Sequence, residues 1–124
     1  LAGGMDGWKT SGLPVEAADG IDVDTLKELW GQEPAPMILD VRQRSEYHAG
    51  HIQGALNIEL GELQEHLDGL PREIPVITVC ASGMRASVAG SILQRDGRQN
   101  VQVVGVGGTQ DWIDRGFPVT TGDE

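Results

Sequence analysis

The chain has 124 residues, 39% hydrophobic and 23% charged, which suits one compact domain with a short appendage and excludes a disordered chain. Nineteen acidic against nine basic residues give a formal net charge of -10, so no basic face is available for nucleic acid or an anionic membrane, and an anionic substrate must be captured locally. No apolar run approaches the ~20 residues that span a bilayer, no signal peptide opens the chain, and three histidines with one cysteine make neither a disulfide nor a closed zinc site, so the cytoplasm is the expected location.

In chain order, Ile21 and Val23 predict a short strand, and Asp24 is the expected N-cap of a helix that turns Leu26, Leu29 and Trp30 inward. Gly31 and the Pro34, Pro36 pair end it. Met37 to Val41, apolar but for Asp40, reads as a strand buried on both faces. Ser45 is the expected cap of a short helix through Tyr47 and His48, stopped by Gly50. Ala55 to Ile58 predicts another short strand, and Leu60 to Leu67 a helix ended by Gly69 and Pro71. Val76 to Val79 is the clearest strand. It runs into Cys80, a glycine-containing loop, and a helix from about Arg85 to Arg95 with Val88, Ile92 and Leu93 apolar, ended by Gly97. Val101 to Val106 is a further β-branched run, and Thr109 to Arg115 a last short helix. Strands alternating with helices predict an α/β sandwich with a mainly parallel sheet, whose ligands bind beyond the carboxyl ends of the strands. Cys80 stands at one of those ends.

The segment Cys80-Ala81-Ser82-Gly83-Met84-Arg85 concentrates the chemistry. A strand that stops, a loop of small residues and an immediate helix point several backbone N–H groups at one centre, forming an anion-binding nest. Such a nest favours the thiolate form of a cysteine held inside it. Gly83 lets the backbone turn, and Arg85 supplies a charge that persists at any working pH. Asp40 ends a strand expected beside that of Cys80. Its charge, with those of Arg42 and Glu46, is read as tying strand to short helix, so that Asp40 and Arg42 support Cys80 from outside. His51 takes a structural role, His48 and His66 are solvated helix positions, Trp8 and Trp112 pack, and Asn57 satisfies backbone groups near a turn.

A repeat adds to the picture. Gly3, Gly4, Trp8, Gly12, Pro14 and Val15 recur as Gly107, Gly108, Trp112, Gly116, Pro118 and Val119, with a constant offset of 104. Residues 1–15 are therefore expected to be the tail of a preceding related module in a longer parent, as the absence of an opening methionine also suggests, with the domain itself at 16–124.

The stretch LDVRQRSEYHAGHIQGALNI from Leu39 to Ile58, with CASGMRA and GGTQDWIDRGFPV in the same order, resembles the rhodanese (sulfurtransferase) family over roughly residues 19–121. The resemblance implies a rhodanese-like three-layer sandwich around a central five-stranded, mainly parallel sheet. It also implies that Cys80 becomes a persulfide, with Ala81, Ser82, Gly83, Met84 and Arg85 binding substrate and Asp40, Arg42 and His51 as outer support. His51 resembles a signature position. The implied reaction passes sulfane sulfur from thiosulfate, a polysulfide or a persulfide to a thiol or cyanide, with no metal or organic cofactor. Ala81 lacks the basic side chain of some thiosulfate-preferring members, which puts thiosulfate in doubt as the natural donor. Ser82 and Met84 are expected at the pocket mouth. Similar modules occur beside metallo-β-lactamase-like or flavin disulfide reductase domains, so domains of the parent chain are expected partners. A sulfur carrier or interaction module without turnover is the alternative. A cysteine-based phosphatase or arsenate reductase is a further one, though those phosphatases place their arginine one residue further from the cysteine, and the six-residue loop here looks like the tighter sulfur cradle.

Overall fold

The computed structural model describes residues 19–122, so the expected module tail at 1–15, with Trp8, lies outside the described residues. The elements in chain order are β1 (Asp19–Ile21), α1 (Val23–Trp30), β2 (Met37–Asp40), α2 (Arg44–Ala49), β3 (His51–Ile52), β4 (Leu56–Asn57), α3 (Leu63–His66), β5 (Val76–Val79), α4 (Met84–Arg95), β6 (Val101–Val104), α5 (Thr109–Asp114) and β7 (Val119–Thr120). Five strands form one sheet in the order β1-β6-β5-β2-β4, every neighbouring pair parallel, which matches the expected central five-stranded sheet. Parallel neighbours need crossover connections, and the helices supply them. β3 and β7 pair antiparallel in a small separate ribbon that sequence reasoning did not anticipate.

Two buried layers follow from alternation along the strands. Leu39, Val76, Cys80 and Val103 join Leu63 of α3 and Ala86, Ala89 and Leu93 of α4 on one face. Ile38, Ile77, Val79 and Val104 join Val23 and Leu26 of α1, Tyr47 of α2 and Trp112 of α5 on the other. Trp112 is fully buried, edge-on to Trp30 and Phe117, with its indole N–H donated to the Pro118 carbonyl (2.7 Å), so it packs as expected. No helix among the described residues is long and apolar enough to cross a membrane.

Several boundaries shift. The cap of α1 is Asp22, not Asp24. Asp22 has an extended backbone and accepts the Thr25 N–H at 2.9 Å, which puts Val23 in the first turn and buries it rather than leaving it in a strand. That hydrogen bond holds the Asp22 carboxyl below its ordinary pKa. In α2 the expected cap Ser45 lies within the first turn, and Glu46 reaches back to the Gln43 N–H at 3.0 Å instead. The 60–69 segment is a short α-helix between two 3-10 turns. Val88 is exposed, because α4 buries the stripe Ala86, Ala89, Gly90 and Leu93, small residues that let the helix lie close to the sheet. The strand at 101 stops at Val104, leaving Val106 exposed.

Candidate active site

β5 is the middle strand of the sheet, with β6 and β2 on its two sides, so its carboxyl end opens where neighbouring loops converge. Asp40 is the register partner of Val79, which places it beside the Cys80 strand as expected. Cys80 is buried, 1% exposed, and shares its layer with aliphatic side chains. Its sulfur is not sealed in hydrocarbon: Sγ accepts the backbone N–H of Gly83 at 3.0 Å and that of Ala86 at 3.3 Å.

The local cause lies in α4. The first four N–H groups of a helix lack intrahelical partners. Gly83 occupies the N-cap position without a side chain to serve them, and Ala86 lies in the first turn. Cys80 Sγ takes the place of the missing cap acceptor. Gly83 reaches this geometry with φ 106°, and its chain passes so close to the Gly105 loop that a Cβ would lie 2.6 Å from the Gly105 oxygen. Thr78 Oγ1 donates to the Ala86 carbonyl at 2.8 Å and ties β5 to the same turn.

A second loop holds the cysteine's own backbone. The Thr109 N–H donates to the Cys80 carbonyl at 2.9 Å. Gly108 lies so close that a Cβ there would stand 2.1 Å from the Cys80 oxygen and 2.6 Å from that of Ala81. Gly105, Gly108, Thr109 and the Ala86 amide were not among the sequence-predicted site residues. The pair Gly107-Gly108 was visible as a motif, but its closeness to Cys80 is a tertiary fact.

Of the predicted loop residues, Ser82 and Met84 are exposed, Met84 at 77%. Ala81 is half-buried. Arg85 gives its two terminal nitrogens to Glu46 on α2, at 2.8 and 3.2 Å. The pairing pushes the Arg85 pKa up, with smaller contributions from Cys80 and Asp40, and draws that of Glu46 down against the cost of its burial. Glu46 thus joins α2 to the Cys80 loop rather than to β2.

Asp40 and Arg42 form their own closed pair. Arg42 Nε donates to both Asp40 oxygens (3.0 and 3.1 Å) and Nη2 donates to Oδ2 (2.8 Å) and to the Gly50 carbonyl (2.8 Å), tying the strand end to the end of α2. Asn57 Nδ2 donates to the carbonyls of Asp40 and Arg42, satisfying backbone as expected. His51 is fully buried, stacked on Tyr47 with ring centroids 3.6 Å apart, its Nδ1 2.8 Å from the Tyr47 carbonyl oxygen. Tyr47 and the adjoining Ile52 belong to the layer of α1 and α5, whereas Cys80 belongs to that of α3 and α4. The fold brings Cys80, Gly83, Arg85, Asp40 and Arg42 to one end of the sheet and sets His51 into the packing beneath α2.

A buried thiol receiving two N–H groups at the start of a helix is held as an acceptor, the condition of a nucleophile and of an anion carrier. Comparisons with known proteins identify the domain family. The sequence profile of the Rhodanese-like domain matches residues 22–115. The crystal structure of a rhodanese-related protein from Thermoplasma volcanium superposes with a TM-score of 0.71 at 32% identity, covering 84% of this chain and 99% of that one. The putative sulfur carrier protein YrkF of Bacillus subtilis is 32% identical over 92 residues, 74% of this chain and 49% of that protein. The thiosulfate sulfurtransferase GlpE of Coxiella burnetii is 30% identical over 76 residues, 61% of this chain and 70% of that protein. The chain spans about half the length, or less, of several curated relatives that it matches.

Proposed function

The chain belongs to the rhodanese-like family, and we propose that it transfers sulfane sulfur through a persulfide on Cys80. The observation that carries this reading is the pair of backbone N–H groups, from Gly83 and Ala86, aimed at the Cys80 sulfur.

In the first step the Cys80 thiolate attacks the outer sulfur of a donor. The new S–S bond forms as the donor's own bond to that sulfur breaks, its electron pair leaving with sulfite or with a thiolate. Cys80 then carries S–S⁻, and the amides along Ala81 to Arg85 are the donors that stabilise the outer sulfur. In the second step a thiol or cyanide attacks that sulfur, and Cys80 leaves as the thiolate it began as, so the cycle is ping-pong. With one cysteine in the chain, the acceptor comes from outside it.

Intact mass after incubation with a sulfane donor tests the reading. The expected gain is about 32 Da, one sulfur atom, localised to Cys80 and removed by cyanide. Folded protein that takes up no sulfur from several donors defeats it. Similarity to a protein named as a putative sulfur carrier supports a second reading, a carrier that loads once and hands its sulfur to another domain. Steady thiocyanate formation that vanishes in Cys80→Ser favours the enzyme, and stoichiometric loading without turnover favours the carrier.

A further inference from the structure

The charges beside the Cys80 loop cancel. Arg85, the last residue of the loop, is closed on Glu46, and Arg42 is closed on Asp40. Arg85 feels Glu46 most, and Cys80 and Asp40 less, while Glu46 feels Arg85 and, less, Arg42, so the two pairs adjoin each other beside the sulfur. Two guanidiniums and two carboxylates sum to zero. What remains positive toward Sγ is backbone, the N–H groups of Gly83 and Ala86 at the start of the twelve-residue α4. A helix N-terminus is equivalent to roughly half a positive charge. That supply matches one negative charge, the thiolate or its persulfide, more closely than the second or third that a dianionic donor adds.

Donors differ in this respect. Thiosulfate brings two negative charges to a thiolate, so three gather at the loop during attack. An alkyl persulfide brings one or none, together with an organic chain. Within the loop itself Met84 offers such a chain an apolar side chain, 77% exposed.

We propose that Glu46 is a specificity-determining residue which, by occupying Arg85, turns the Cys80 site away from dianionic inorganic donors and toward organic persulfides of single or no charge. The inference rests on the persulfide chemistry above and deepens it, since specificity is a difference between donors and a silenced cation acts against only one of them.

The test measures loading rate against donor concentration for thiosulfate and for 2-hydroxyethyl persulfide, by intact mass, in the wild type, Glu46→Gln, Glu46→Asp and the double variant Glu46→Gln/Arg85→Gln. The wild type is expected to load more efficiently from the alkyl persulfide. In Glu46→Gln the freed guanidinium raises the thiosulfate-to-persulfide efficiency ratio by on the order of 10-fold, through tighter thiosulfate saturation, and salt erodes the gain. Glu46→Asp keeps the charge and the wild-type ratio. Because each ratio is taken within one preparation, a change in folded fraction cancels. If Glu46→Gln does not fold, the double variant Glu46→Gln/Arg85→Gln decides: it removes both charges of the pair together and should keep the wild-type ratio, and a selective loss of thiosulfate loading overturns the proposal. An unchanged ratio in folded Glu46→Gln, or a wild type that prefers thiosulfate, also overturns it. Failure of the wild type to load from either donor instead refutes the persulfide reading, and this inference with it.

Discussion

Replacing Gly83 by alanine tests whether the curvature of the Cys80 loop is what holds the sulfur. Two costs are combined there: a φ of 106°, and a Cβ that would stand 2.6 Å from the Gly105 oxygen. Gly54 separates them, since its φ is 90° and a Cβ there meets nothing within 4 Å. The left-handed backbone alone costs about 1 kcal/mol, so Gly54→Ala is expected to lower Tm by about 5 °C and leave sulfur loading untouched. At Gly83 the obstructing atom is backbone, so no side-chain rotation relieves the overlap. One of the two loops must withdraw by the ~0.8 Å that separates 2.6 Å from an ordinary contact of 3.4 Å. A shift of that size turns the Gly83 N–H away from Sγ, where it now lies at 3.0 Å. In the proposed step Sγ gives up its charge to the outer sulfur, so turning this amide away weakens both the hold on the thiolate and the loop that receives the outer sulfur. The cost of one misplaced donor, ~100-fold in rate, is the magnitude expected for loading in Gly83→Ala. The assay is the rate of the persulfide mass gain beside a thermal melt of each variant. If Gly83→Ala melts close to Gly54→Ala and loads as fast as the wild type, the amide geometry is not what activates Cys80, and the argument from the loop fails.

Gly108→Ala is expected to slow loading at least as much, by displacing the Cys80 and Ala81 carbonyls; its extended backbone (φ 176°) suits any residue, so wild-type loading would show that this contact relaxes without moving the cysteine. Arg98, 5% exposed, donates to the carbonyls of Leu67, Leu70 and Pro71 and pairs with Asp96, so Arg98→Ala should lose about 3 kcal/mol in urea unfolding while the folded protein loads normally; a loss within error would show those carbonyls rehydrated. The Arg85 hydrogen bond holds the Glu46 pKa below its ordinary 4.5, so the pair stabilises the fold above that pH and stops doing so as pH falls through the lowered value. Both side chains are about one-third exposed, so the effect is under ~1 kcal/mol, and thermal melts of wild type and Glu46→Gln should converge as the pH is taken well below that ordinary value; curves that stay parallel throughout would contradict it.

The parts legible in the sequence are those whose cause is local. Val76 to Val79 is a β-branched run, and the abrupt change to small residues after Cys80 marks the strand end that the structure shows. The two caps read wrongly depended on competition between neighbours. Asp22 and Asp24 are both good caps, and the choice falls to the one that carries Val23 into the core. Ser45 lost to a glutamate reaching back from inside the helix. The β3–β7 ribbon has two residues a side and joins segments far apart in the chain, too short for any periodicity to register.

The candidate site divides in the same way. Its proposed nucleophile, Cys80, and its turning glycine, Gly83, lie within four residues and carry their own signal. What sets their chemistry lies elsewhere: Glu46 is 39 residues from Arg85, and the Gly105–Thr109 loop reaches Cys80 only because β6 pairs beside β5. A single sequence shows Arg85 as an available cation, and only the fold shows it occupied. On the proposed reading, Cys80 is held by its own loop together with the distant Gly105–Thr109 loop, while donor choice lies with the Glu46–Arg85 pair between elements. Substitutions on α2 should therefore change which donor is used without abolishing the persulfide, and substitutions at Gly83 or Gly108 should slow every donor alike.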